Sequence, residues 1–224
     1  MDMNERAARN KKISHAVMII ILLLAFVCFI FPFVLVVINV FKVKADITAD
    51  PLALVGSHGF TIENFPEAME KMNFLLSFGN SLVITILSTV ITISLASMAA
   101  FVIVRNNWKA CGLLFGLMVA SMVIPFQVVM LPLLSTFRET SNFFGIQMLQ
   151  SYKGIIFAYL GFGGSMSVFI LHGFVKGIPY ELEEAAWIDG CSPEGTFFRI
   201  IFPLLKPVQV TVLILNGIWI WNDY

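Results

Sequence analysis

One run of uncharged residues constrains this chain more than any other feature. It extends from Ala16 to Phe41 and contains no Asp, Glu, Lys or Arg. As a helix the run would be roughly 39 Å long, which exceeds the hydrocarbon thickness of a bilayer. A cleavable signal peptide has a shorter apolar region, of about 7–15 residues. The run therefore predicts a retained membrane helix that is tilted or kinked near Pro32.

Further apolar stretches follow along a chain that is 58% hydrophobic and only 12% charged. This composition is typical of a membrane protein. We predict an all-α, polytopic transmembrane helical bundle, with a short N-terminal tail at residues 1–14. Pro125 and Pro132 predict a kink within the third span. The predicted spans cover residues 16–41, 73–104, 110–135, 154–175 and, in part, 207–224.

The loops between the spans differ in basic residues. Nine of the 14 Lys and Arg residues lie in the N-terminal tail and in the loops that would share its side of the membrane. The other five lie in residues 42–71 and 136–153, which are predicted outer loops, the first with a short helix near Pro66. The positive-inside rule thus predicts a cytoplasmic N-terminus and a cytoplasmic segment 176–206.

The segment 176–206 contains the acidic stretch ELEEAAWIDGCSP, at residues 181–193. Its local signals predict helix, sharp turn, helix: Pro179 fits the first turn of one helix, Gly190 a left-handed end, and Ser192-Pro193 the start of the next helix. The second helix carries an apolar stripe formed by Phe197, Phe198, Ile201, Phe202 and Leu205.

The acids of this segment favour a protein partner over a lipid surface. Cytoplasmic leaflets are usually anionic and attract basic segments, so they would repel the carboxylates. Ala185 and Ala186 would let the first helix approach a partner groove closely. On these physical grounds a docking helix and a plain solvated loop both remain open.

The same stretch resembles the EAA signature of permease subunits of bacterial ABC importers. The residues that carry the resemblance are Glu184, Ala185, Ala186, Asp189, Gly190 and Pro203. The stretches TIENFPEAMEKMNFLLSFGNSL, MVIPFQVVMLPL and GIWIWNDY extend it to about residues 15–224. They resemble the carbohydrate branch of the family, especially the maltose-permease G-type subunit.

This resemblance implies a type I ABC importer permease fold with six spans, of which five are visible, so a C-terminally truncated fragment is expected. It also implies that the EAA residues form a cytoplasmic coupling helix that fits a cleft in the ATPase subunits. The implied partners are ABC ATPase subunits, a second, F-type-like permease subunit, an extracytoplasmic sugar-binding protein and lipid of the bacterial inner membrane.

The chemistry of the chain agrees with a permease subunit and not with an enzyme. It has no G-x-x-x-x-G-K-[ST] loop for phosphates, so ATP would be used by the partner ATPase and no cofactor is expected here. The first four spans contain no ionisable Asp, Glu, Lys or Arg for an ion-coupled carrier. No catalytic cluster and no metal site is expected.

The C-terminal stretch NGIWIWNDY offers candidates for the substrate path. Sugars bind to flat apolar surfaces and to paired hydrogen-bonding groups, and the stretch has both. An aromatic belt at the membrane surface is the open alternative. The alternative function for the whole chain is a membrane scaffold or receptor that does not transport. The sequence does not specify which sugar is carried, or whether a polyol-phosphate-like substrate is carried instead. The candidates are Asn216, Trp219, Trp221, Asn222, Asp223 and Tyr224.

Overall fold

The computed structural model describes residues 3–223, with side chains from residue 11 onward, and it is helical in agreement with the predicted fold class. The chain divides after Ser77 into two compact units. Within the described residues, three single helices are long and apolar enough to cross a membrane, namely Lys11–Asn39, Phe74–Arg105 and Tyr152–Val175. Two pairs of successive helices, each pair sharply bent at a short break, bring the number to five if each pair is counted as one span.

The first unit begins with the long helix α1, Met3–Asn39, which passes Pro32 without interruption. None of the most apolar part of α1 is buried inside the chain, as expected for a surface that faces lipid. Two short helices follow, α2 at Lys44–Ala49 and α3 at Asn64–Lys71. The predicted helix near Pro66 is therefore present, whereas α2 was not predicted.

The segment after α1 is closed by buried polar contacts. The Lys42 side chain is buried, and its Nζ donates to Asn39 Oδ1 at 3.1 Å and to the Asp50 carbonyl at 3.1 Å. The buried Asp46 carboxylate accepts from the backbone N–H of His58 at 3.0 Å and contacts its Nδ1 at 2.8 Å. These contacts give the predicted outer loop a defined structure.

The second unit contains most of α4, Phe74–Arg105, followed by α5, Lys109–Ser121, and α6, Phe126–Phe144. The prediction of one kinked third span is wrong in degree, because α5 and α6 are separate helices whose axes meet at 111°. Pro125 lies directly before α6, and a proline disfavours helical geometry in the residue that precedes it. The predicted loop 136–153 is also too long, since α6 continues through Phe144.

The remaining helices are α7 at Tyr152–Val175, α8 at Glu181–Ile188, α9 at Pro193–Thr196, a π-helical turn at Phe197–Ile201, α10 at Phe202–Leu204 and α11 at Lys206–Asp223. A core joins the ends of α4, α7 and α11 with the segment between α8 and α11. Its fully buried members include Ala100, Leu171, Val175, Ile201 and Leu205. Two of its members lie close to α8 in the chain, Ile178 just before that helix and Phe197 just after α9.

Candidate functional site

Helix α8 begins at Glu181, two residues after the proline that was predicted to lie in its first turn. Pro179 lies before the helix and not in its first turn, and the Tyr180 carbonyl accepts from the backbone N–H groups of Glu183 and Glu184 at 2.9 and 3.2 Å. All three glutamates of the stretch lie in the first turn, where the helix dipole favours negative charge.

The turn after α8 has the predicted geometry. Gly190 has φ +81°, a left-handed conformation that glycine adopts without steric cost. Its N–H donates to the Trp187 carbonyl at 3.0 Å, and the Cys191 N–H donates to the Ala186 carbonyl at 2.9 Å. This pair of bonds is a Schellman motif, which satisfies the last carbonyls of a helix.

The next helix starts at the predicted cap. The Ser192 hydroxyl accepts from the Gly195 N–H at 3.1 Å, and Pro193 is in the first turn of α9. One cap therefore ends α8 and a second cap begins α9, with only a tight turn between them. The direction of α8 relative to α9 is closely defined as a result.

The two faces of α8 have different surroundings. Glu183 and Ala186 are 1% and 3% exposed, so they face the interior of the chain. Ala186, one of the predicted coupling residues, therefore does not present its side chain on the surface of the chain, whereas Ala185 does. Their burial follows from the spacing of three residues, which places both side chains on one side of the helix.

The buried Glu183 forms an ion pair with Arg105, the last residue of α4. The Arg105 Nε lies 2.6 Å from Glu183 Oε1, and its Nη2 donates to the Ile178 carbonyl at 3.0 Å. Sequence reasoning missed this contact because the two residues are far apart in the chain. Its sequence signal was the position of Arg105, a basic residue at the end of a predicted uncharged span.

The outward face of α8 combines charge with apolar surface. Its exposed residues Glu181, Glu184, Ala185 and Ile188 recur at helical spacing, and Ile188 is 85% exposed. Asp189 and Gly190 are also exposed at the end of the helix. We refer to Glu181, Glu184, Ala185 and Ile188 as the α8 outer face.

The segment after α9 differs from the single predicted helix. Residues Phe197–Ile201 form a π-helical turn, closed by a bond from the Phe202 N–H to the Phe197 carbonyl. The widened turn precedes Pro203, whose ring would clash with the carbonyl four residues earlier in a regular helix. Pro203 is half-buried. The predicted apolar stripe is buried at Phe197, Ile201 and Leu205, whereas Phe198 is 53% exposed.

The substrate-path candidates on α11 have different environments. Asn216 is buried, and its amide donates to the Ser167 hydroxyl of α7 at 2.8 Å and to the Val212 carbonyl at 3.2 Å. A Cβ atom at Gly163 would lie 2.7 Å from Asn216 Oδ1, so the two helices approach closely here. Asn216 therefore connects α7 and α11 within this chain.

The candidates near the end of α11 are more accessible. Trp219 and Trp221 are 42% and 40% exposed, and Asn222 and Asp223 are exposed. The buried Tyr159 donates its hydroxyl to Asp223 Oδ2 at 2.8 Å and makes an edge contact with Trp219. Tyr159 was not among the predicted residues, and Tyr224 lies outside the described residues.

A row of hydroxyl groups lies on α4. The hydroxyl oxygens of Thr85, Ser88 and Thr92 are buried and, among the described residues, have no hydrogen-bond partner. The neighbouring Thr89 and Ser97 donate to carbonyls of their own helix. Across the described part of the chain, no group of three His, Cys, Asp or Glu side chains could hold a metal ion.

Comparison with solved structures shows the fold. The chain matches the crystal structure of a bacterial ABC transporter involved in the import of the acidic polysaccharide alginate, with a TM-score of 0.81 and 18% identity. The match covers 96% of this chain and 73% of the other. The fold is therefore that of an ABC importer permease.

Comparison with curated sequences identifies relatives along most of the chain. It is 37% identical to a probable starch degradation products transport system permease of Thermoanaerobacterium thermosulfurigenes, over 86% of this chain and 67% of the relative. It is 34% identical to a melibiose/raffinose/stachyose import permease of Bacillus subtilis, over 98% and 76%. A multiple sugar-binding transport system permease of Streptococcus mutans is 31% identical, over 96% and 76%.

The family comparison covers residues 92–224, which include the C-terminal part of α4, the acidic stretch and α11. The matched family is described as the inner membrane component of binding-protein-dependent transport systems, which is a transport family and not an enzyme family. Its description agrees with the long apolar helices of this chain. This chain therefore belongs to the family of binding-protein-dependent transport system inner membrane components, as an integral membrane permease of the ABC importer type.

Proposed function

We propose that this chain forms half of the translocation pathway of an ATP-driven sugar importer and receives the energy of ATP through the α8 outer face. The observation that carries the proposal is an acidic helix with closely defined ends. Its exposed side presents the carboxylates of Glu181 and Glu184 together with Ile188, which is 85% exposed. A solvated loop needs neither the two caps nor an exposed isoleucine, whereas a protein cleft would cover the isoleucine and pair with the acids.

The mechanism follows from this placement. ATP binding would close the partner ATPase subunits, which would move α8 as a rigid body. The Schellman turn at Gly190 and the cap at Ser192 would transmit that motion to α9 and through Pro203 to α11. The attached spans would then exchange an inward-open for an outward-open arrangement. Glu184, Ala185, Asp189 and Gly190 act at the docking surface, while Ala186 sets the packing of α8.

The chemistry of the end of α11 supports a place for it in the sugar path. Trp219 and Trp221 offer flat apolar surfaces, and Asn222 and Asp223 offer polar groups beside them. Asn216 supports the path indirectly, through the packing of α11 on α7. One relative is named as a probable transport permease for starch degradation products and another as an import permease for melibiose, raffinose and stachyose, which supports an oligosaccharide as the substrate class.

The proposal includes the orientation and the partners. The N-terminus and α8 lie on the cytoplasmic side of the inner membrane, with two ATPase subunits below and an extracytoplasmic sugar-binding protein above. A second permease subunit completes the pathway. ATP is bound by the ATPase subunits and not by this chain.

Reconstitution in liposomes tests the function. The permease is assembled with its second permease subunit, its ATPase and its binding protein, and maltotriose and raffinose are offered as probes. We expect the sugar-loaded binding protein to stimulate both ATP hydrolysis and sugar accumulation. ATPase binding without movement of any sugar would contradict the proposal and would favour a scaffold or receptor.

A further inference from the structure

The Arg105 guanidinium makes three different contacts at the inner side of α8. It pairs with the Glu183 carboxylate at 2.6 Å, donates to the Ile178 carbonyl at 3.0 Å, and lies 5.7 Å from the centre of the Tyr180 ring. Tyr180 in turn makes an edge contact with Trp187, on α8 itself. The planar guanidinium of arginine can donate in two directions and also stack on an aromatic ring, which the compact ammonium of lysine cannot do.

The pair is shielded from water. The Glu183 side chain is 2% exposed and the Arg105 side chain is 15% exposed. A buried ion pair of this kind contributes little net stability compared with apolar packing, but its geometry is specific, and removing one partner leaves an uncompensated charge. The role of the Arg105–Glu183 pair therefore follows from the two helices that it connects and not from its contribution to stability.

The pair connects α8 to a span that has no direct chain link to it. Along the chain, α8 is joined to α7 through residues 176–180 and to α9 through the Gly190 turn. Helix α4 ends at Arg105, and the ion pair joins residues that are 78 positions apart. Helix α4 also carries the buried hydroxyl row at Thr85, Ser88 and Thr92. A displacement of α8 would reach that helix most directly through Arg105.

We infer that the Arg105–Glu183 pair is a coupling clamp, which makes α4 move together with α8 when the ATPase subunits close. Arg105 and Glu183 are positioning residues, since they act through the α8 outer face and contact neither ATP nor sugar. This inference rests on the proposed function of α8. According to this inference, the motion of α8 is passed to α4 as well as to α7 and α11.

The test compares Glu183→Gln and Arg105→Lys with the control Glu194→Gln, which changes an exposed acid in the first turn of α9. Each permease is reconstituted with its partner proteins. The sugar used is the one, maltotriose or raffinose, that the unaltered permease accumulates. Three quantities are measured: the amount of ATPase retained on purification, the rate of ATP hydrolysis, and the sugar accumulated per ATP hydrolysed.

We expect Glu183→Gln and Arg105→Lys to retain the ATPase subunits but to accumulate about tenfold less sugar per ATP, a size typical of coupling between distant sites. Glu194→Gln should match the unaltered protein. An unchanged ratio of sugar to ATP in both pair variants would overturn the clamp. Failure of both to assemble would also overturn it, because the pair would then serve folding alone.

A failure of the clamp can be distinguished from a failure of the proposed function. If the α8 outer face does not dock, Glu184→Lys will retain the ATPase subunits as well as the unaltered protein does. That result concerns the outer face, whereas the clamp is judged by the ratio of sugar to ATP in complexes that have assembled.

Discussion

Asn216 shows how far a single residue could be predicted. Asn216, Trp219 and Asp223 are spaced so that a helix places them on one face, yet the structure buries Asn216 against α7 and leaves Trp219 and Asp223 more accessible. The difference depends on Ser167 and Gly163, which are distant in sequence and which no local pattern connects with α11. Polar residue types could be recognised from the sequence, but the partner of each one could not.

This close approach gives a prediction for Gly163→Ala. The new methyl group would meet Asn216 Oδ1, which cannot move freely because the amide is held by Ser167. We expect a loss of about 1–3 kcal/mol, the usual cost of overpacking. Gly164→Ala is the control, since nothing lies within 4 Å of its new Cβ. Thermal unfolding in detergent should separate the two variants, and equal midpoints would contradict the packing role of Asn216.

Asp46 gives a prediction for pH. The backbone N–H of His58, and then its ring, lower the pKa of the Asp46 carboxyl. Because this pKa is lower in the folded than in the unfolded chain, the stabilisation is present above the ordinary pKa of about 4 and is lost as the pH falls through the folded value. We expect amide exchange in residues 42–60, corrected for its intrinsic pH dependence, to rise on acidification below about pH 4.

The control for this effect is Asp46→Asn, which should be less protected at neutral pH and should change less on acidification. Glu67 contributes separately, because Lys44 and Lys71 lower its pKa to about 2, and its contribution is lost between its ordinary pKa of 4.5 and that value. Equal pH profiles for the unaltered protein and Asp46→Asn would rule out a role for the Asp46–His58 contact.

Among the elements, the α8 turn was the most predictable and the α5–α6 break the least. Gly190, Ser192 and Pro193 act on their own neighbours in the chain, so their sequence determines the caps directly. Pro125 marks the position of a break, but the angle of 111° depends on the packing of each helix with others. The π-helical turn before Pro203 had no signal besides that proline.

The left-handed glycine gives the prediction for this element. A side chain at position 190 would cost about 1–2 kcal/mol in that conformation. We expect Gly190→Ala to reduce ATP-driven sugar uptake, and Gly190→Asn to reduce it less because asparagine tolerates the conformation better. Gly217→Ala, within α11 and with open space around its Cβ, should have little effect. Full uptake by Gly190→Ala would show that the turn does not transmit motion.

At the scale of the whole molecule, hydrophobicity was sufficient to predict a membrane bundle with up to five spans. The long apolar runs determine that class because backbone groups in lipid must be satisfied within helices. Which face of α8 is buried and which is exposed could not be predicted from the sequence, since the burial of Glu183 depends on its contact with Arg105. The acids of the stretch therefore have two environments, since Glu183 is directed to the interior of the chain and the others are exposed.

The central claim is that the α8 outer face lies against the ATPase subunits. Its most direct test is a photo-cross-linking amino acid at Ile188 in the assembled transporter, compared with the same group at Phe143, which is 82% exposed near the end of α6. The account predicts a cross-linked product of permease and ATPase from Ile188 and none from Phe143. The absence of that product at Ile188, or an equal yield at both positions, would contradict it.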